Sequence, residues 1–97
     1  MFAESAAADR PGTVSVRFMV DADPGPGLLP RLLQPFAKRD LTPDRMWSHL
    51  GDHAMHVELA LHAVSPELVG LIEGNLRQVV GVHAVVRVQQ AVLRRVA

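Results

Sequence analysis

An α+β fold is predicted: a four-stranded antiparallel sheet with two helices on one face. Two observations carry it. The chain contains two copies of one pattern, from Thr13 to Leu50 and from Ala54 to Gln89, each an alternating apolar run, a helix-like run and a second alternating run. Within each copy the apolar spacing switches from two residues to that of a helix. The resulting order, β-α-β-β-α-β, is the split βαβ or ferredoxin-like plait, with strands ordered 4-1-3-2.

The elements follow in order. Residues 1–12 read as a flexible N-terminal arm, because Ala6, Ala7 and Ala8 precede the breaker pair Pro11-Gly12. Val14, Val16, Phe18 and Val20 alternate as a first strand. Asp21, Asp23, Pro24, Gly25, Pro26 and Gly27 then form a stiff loop that can bring its backbone close to another group. Leu28, Leu29, Leu32, Leu33 and Phe36 stripe the first helix. Pro30 falls in its first turn, where the missing N–H would have had no partner, and Pro35 should kink it by removing a bond to Arg31. The second strand is expected over Leu41 to Leu50, with one proline near its start.

Met55, Val57, Leu59 and Leu61 alternate as the third strand. Ser65 as N-cap, Pro66 at the first helical position and Glu67 in the first turn open a second helix striped by Leu68, Leu71, Ile72, Leu76 and Val79. Gly81 turns the chain back into a last strand, Val82 to Val88. The folded domain is therefore 13–90, with a C-terminal tail, 91–97, that extends that strand or frays.

Composition narrows the function. A chain of 97 residues supports one small core, and with 48% hydrophobic but only 4% aromatic residues that core is aliphatic. Ten basic residues balance ten acidic ones, which removes the positive field a nucleic-acid-binding protein uses. The absence of cysteine excludes disulfides and thiolate sites. No apolar run approaches the roughly 20 residues that span a bilayer, and residues 1–10 carry no signal-like segment. A cytoplasmic protein without membrane or nucleic-acid partners is expected.

Three surface features invite a reading. His56 and His62 share the strand face opposite Met55, Val57, Leu59 and Leu61, beside Glu58, and His49 and His83 could join them. Imidazoles and a carboxylate can ligate zinc or copper. Yet six residues of strand separate His56 and His62 by about 20 Å, so one ion would need a cross-strand ligand, and a polar solvated or subunit-facing surface is the reading the spacing favours. Gly70 and Gly74 form a flat strip on the second helix, at a helix cost of roughly 1 kcal/mol each. Trp47 either plugs the core margin or anchors a partner at the sheet edge.

The stretch Pro26-Gly27-Leu28-Leu29-Pro30-Arg31-Leu32-Leu33-Gln34-Pro35-Phe36-Ala37-Lys38-Arg39 resembles the Pro-Gly-x-Leu-x-Arg-x-x-x-x-Phe-x-x-Arg signature opening the first helix of ACT domains. His56 to Leu61, Ser65-Pro66, Leu76 and Val80 to Val85 are similar to the second half of that family. Within it the chain most resembles the short small subunit of acetolactate synthase. The resemblance spans Thr13 to Gln89. It implies a non-catalytic plait that dimerises side by side and activates or stabilises a large catalytic subunit in branched-chain amino acid biosynthesis. Thiamine diphosphate, magnesium and FAD would belong to that partner, leaving this chain without cofactor or metal.

The resemblance also implies where an amino acid effector would sit: the loop after the first strand meeting the second strand of a neighbouring domain. The corresponding positions are Gly25, Gly27, Leu28 and Thr42, with loop N–H groups taking the ligand carboxylate. Pro24 and Thr42 stand where effector-binding members carry asparagine, and Asp21 and Asp23 place negative charge where they would compete with a carboxylate. A stand-alone amino acid sensor is the alternative reading. A small acylphosphatase-like hydrolase on the same plait needs an arginine in a glycine-rich cradle and a nearby asparagine. This loop has prolines and aspartates instead, and Asn75, the only asparagine, falls on the helical stripe.

Overall fold

The structure is a computed structural model and describes residues 12–91. The elements are β1 (Val14–Ala22), α1 (Leu28–Ala37), β2 (Arg45–Leu50), β3 (Met55–Val64), α2 (Pro66–Arg77) and β4 (Val82–Ala91). The four strands form one antiparallel sheet ordered β2-β3-β1-β4, the predicted plait. Most of residues 1–12 and of 91–97 lie outside the described residues, so only Gly12 and Ala91 of the expected arm and tail are seen, Ala91 as the last residue of β4.

Strand alternation sets the core. Val14, Val16, Phe18, Val20 and Ala22 of β1 and Val57, Leu59, Leu61 and Val64 of β3 are buried together with Leu28, Leu32 and Phe36 of α1 and Val69, Ile72 and Leu76 of α2. Phe18 and Phe36, both fully buried, meet edge to face at 6.1 Å and 74°, a geometry worth about 1 kcal/mol beyond burial alone. On α2 the buried stripe runs through Val69, Ile72 and Leu76, and the expected Leu71 is 55% exposed. Leu71 and Ile72 are neighbours about 100° apart on the helix, so only one can face the sheet, and Val69 completes the i, i+3, i+7 stripe.

Two bulges re-aim the strands. Between Val14↔Val64 and Val16↔Leu61 the third strand carries one extra residue, where Ala63 adopts φ 61°. The extra residue shifts the alternation by one, so Val64 faces the core although it lies an odd number of residues from Leu61. His83 is the extra residue of β4, opposite the Asp21–Ala22 step.

The helix ends differ from expectation in instructive ways. Pro35 sits inside α1 near its end and is buried, and its carbonyl accepts a bond from Arg39 Nη1 at 2.7 Å. Beyond it Asp40, at φ 57°, closes a Schellman-type cap: its N–H reaches Ala37 O at 3.0 Å and that of Leu41 reaches Phe36 O at 2.9 Å. The Phe and Arg spacing of the signature is thus a core anchor followed by a helix stop. Ser65 holds the N-cap position of α2 without a side-chain cap bond, its hydroxyl donating instead to Glu67 Oε1 at 2.5 Å. That bond, with one from the backbone, holds the Glu67 carboxyl below its ordinary pKa. The second strand begins at Arg45, not Leu41, because Asp40 and Leu41 are used in the α1 cap and the chain first bonds to the sheet at Asp44, whose N–H donates to Ala60 O at 2.8 Å.

Candidate functional site

The loop between β1 and α1 is tied down by its own backbone. Asp23 N–H donates to Gly81 O at 2.8 Å, Leu28 N–H to Gly25 O at 3.2 Å and Arg31 N–H to Gly27 O at 3.2 Å. Gly81, at φ 95°, needs the freedom of glycine to present that carbonyl. A Cβ on Gly27 would lie 2.5 Å from Arg31 Nη2, so the close approach that Gly27 permits is to the guanidinium of its own helix. A Cβ on Gly25 would meet nothing within 4 Å. The space beside Gly25 is thus empty among the described residues.

The two aspartates flanking the start of this loop both have histidine partners. Asp21 Oδ1 pairs with His56 Nδ1 at 2.5 Å, and Asp23 Oδ1 with His83 Nε2 at 2.6 Å. All four side chains are largely solvent-exposed. Each carboxylate is thus engaged by an imidazole, and the first turn of α1 itself contains no acidic residue.

Thr42 lies elsewhere. Arg45 is level with Ala60 and Arg17, whereas Leu50 is level with Met55 and Ala22, so β2 runs in the direction of β1. Thr42 precedes the start of β2 and Gly25 follows the end of β1, which puts them at opposite ends of the sheet, on the order of 17 Å or more apart. Within one protomer the structure brings Gly25, Gly27 and Leu28 together and leaves Thr42 out.

Among the described residues nothing covers the sheet face away from the helices. Across it run two rows: His49, His56, Asp21 and Ala84, then Trp47, Glu58, Met19 and Val86. His49 is thus the cross-strand neighbour of His56, as required for a shared ligand set. No group of three or more His, Asp or Glu side chains among the described residues could hold a metal ion. Trp47 is 54% exposed and stacks on His49 at 6.0 Å and 10°, away from the core. Gly70 and Gly74 both face open space. Sequence patterning gives no notice of Asp44, whose Oδ2 accepts the His62 N–H at 2.6 Å and steadies the β3 bulge. A bulge at alanine has no compositional signal.

A family model for the ACT-like domain matches residues 9–94, and the chain belongs to that family. Two solved structures share the fold. The ACT domain from GTP pyrophosphokinase of Chlorobium tepidum superposes with a TM-score of 0.64 at 16% identity, covering 76% of this chain and 84% of that one. The C-terminal domain of the MgtC protein from Mycobacterium tuberculosis does so with a TM-score of 0.64 at 16% identity, covering 84% and 92%. No curated protein matches the chain. No helix among the described residues is long and apolar enough to cross a membrane.

Proposed function

We propose that the protein is a non-catalytic accessory subunit, a cytoplasmic homodimer that activates or stabilises an acetolactate synthase-type large subunit in branched-chain amino acid biosynthesis. The observation that carries this reading is the separation of Gly25, Gly27 and Leu28 from Thr42, since a site or interface built from both needs a second chain. Two-fold pairing of β2 with its mate would bring the Thr42 end of one copy to the Gly25 end of the other. The resemblance of the chain, within the ACT-like domains, to the short small subunit of that enzyme supports the choice of partner. A domain of this fold occurs in GTP pyrophosphokinase, so attachment to a larger enzyme has a precedent.

A stand-alone amino acid sensor is the second reading, favoured by the pairing of Asp21 and Asp23 with histidines, which engages the charges that would compete with an incoming carboxylate. Pro24 and Thr42 still withhold the two side-chain amides. The test is affinity capture of the full chain from native lysate, followed by assay of the captured enzyme and calorimetry with valine, leucine and isoleucine. A thiamine diphosphate-dependent large subunit whose activity rises on adding this chain is expected. Capture without such an enzyme, together with an isotherm at a Kd below about 100 micromolar, roughly 5.5 kcal/mol, would replace the accessory reading by the sensor.

A further inference from the structure

The outer surface of the helical layer carries a groove of about 240 Å³ between α1 and α2. Its walls are wet: Arg31, Gln34 and Lys38 of α1 and Gln78, just past the end of α2, are all exposed. Its floor is dry, since Pro35 is buried, Val79 is half-buried and the Asn75 Oδ1 is buried without a hydrogen-bond partner. A buried acceptor left unpaired is costly, and a donor arriving from outside the chain would recover that cost.

The groove is also cationic. No acidic residue lines it, and neither the Arg31 guanidinium nor the Lys38 ammonium has an ion pair or hydrogen bond among the described residues. Neighbouring carboxylates do not offset them. Glu73 is held by Arg77 at 2.7 Å and Arg87 at 3.4 Å, Glu67 accepts from Ser65, and Asp40, beyond the end of α1, pairs with neither cation. The two positive charges stand well apart, because seven residues of helix separate their backbones by about 10 Å along the axis. The Arg31 guanidinium also turns away from Lys38, its Nη2 2.5 Å from where a Cβ on Gly27 would lie. A single carboxylate or phosphate cannot reach both.

We propose that this groove docks an extended acidic peptide segment of another protein. Side chains on alternate residues of an extended strand share one side about 7 Å apart, or about 14 Å at every fourth residue, which brackets the separation of the two cations. One carboxylate then meets Arg31 and another Lys38, while a backbone N–H between them donates to Asn75 Oδ1. Exposed walls fit a segment that belongs to a larger body, since a free small ligand is normally enclosed over most of its surface. A nucleic-acid backbone also repeats negative charge, but the lining has no aromatic side chain to stack a base, and the chain's ten basic residues are balanced by ten acidic ones. The groove lies on the other side of the sheet from Trp47 and does not depend on which enzyme the protein serves.

The test is a nitrogen-15 NMR titration of the full chain with a capped heptapeptide of alternating alanine and glutamate. The same peptide with glutamine for glutamate, inorganic phosphate and an oligothymidylate serve as comparison probes. Saturable shifts at the amides of Gln34, Lys38, Asn75 and Gln78, with a Kd of about 1 mM at low salt, are expected, and binding weakens as salt screens the charges. Arg31→Gln and Lys38→Gln each weaken binding about threefold and together about tenfold. Asn75→Leu weakens it about fivefold although the melting temperature of the free chain does not fall. Arg17→Gln, on the opposite face of the sheet, leaves binding intact. All three comparison probes bind at least about tenfold more weakly than the glutamate peptide. Shifts that do not saturate by about 20 mM, affinity that survives the double variant or Asn75→Leu, or equal binding of any comparison probe would each overturn the proposal.

Discussion

Asn75 shows most sharply what one residue can contribute or withhold. It lines a groove of about 240 Å³ between α1 and α2 with Arg31, Gln34, Lys38 and Gln78, and its Oδ1 is buried with no hydrogen-bond partner. An unpaired buried acceptor costs about 1–3 kcal/mol, and asparagine is also a poorer helix former than leucine. Asn75→Leu is therefore expected to stabilise the domain by about 1–2 kcal/mol, a rise in Tm of roughly 4–8 °C per kcal/mol by calorimetry. A fall in Tm would mean that the amide is used by a group outside the chain. The sequence places Asn75 on the helical stripe but cannot show that its acceptor goes unused, because that depends on what α1 presents across the groove. Leu71 fails for a related reason: it is as apolar as Val69, and only the rotation of α2 against the sheet decides which is buried.

Periodicity exposes the elements well where a face is buried and poorly where none is. Both helices, the inward residues of β1 and β3 and the strand order all follow from apolar spacing. The start of β2 does not, since all six of its residues are exposed and alternation carries no information there. Capping residues are legible as types and not as partners. Ser65 stands at the N-cap of α2, yet its hydroxyl is spent on Glu67, whose lowered pKa records the bond. A carboxyl with a folded pKa below its unfolded value contributes stability that is present above the ordinary value of 4.5 and is lost as pH falls through the folded pKa. In Ser65→Ala the Glu67 carboxyl should titrate closer to that ordinary value. The stability gap between wild type and variant should be widest above pH 4.5 and close below it. Carbon-13 NMR titration of Glu67 with melts at several pH values checks both, and a pKa that does not move in the variant would assign the shift to the backbone bond instead.

At the scale of the whole molecule, a half-finished surface is the dominant fact. The sheet buries one face under two helices and leaves the other bare, with Trp47, Val86 and Val88 exposed, and it ends in β2, an edge without proline between Arg45 and Leu50. Unprotected edges of this kind pair with another strand or are blocked by charge, and β2 carries one arginine and no lysine. The candidate site has the same incompleteness. The resemblance names its residues but not their separation, because the pattern gives strand order without saying which residues share an end. Pairing of β2 with its two-fold mate would address both gaps, extending the sheet and bringing Thr42 toward the partner's β1–α1 loop. Sedimentation of the full chain at tens of micromolar should give a dimer. Met46→Lys with Ser48→Lys, both on exposed positions of β2, should set like charges against each other across the axis and shift the mass to the monomer without lowering helix content. A monomeric wild type would remove the interface and a dimer that survives both lysines would place it elsewhere, and either would leave Thr42 without a route to the loop.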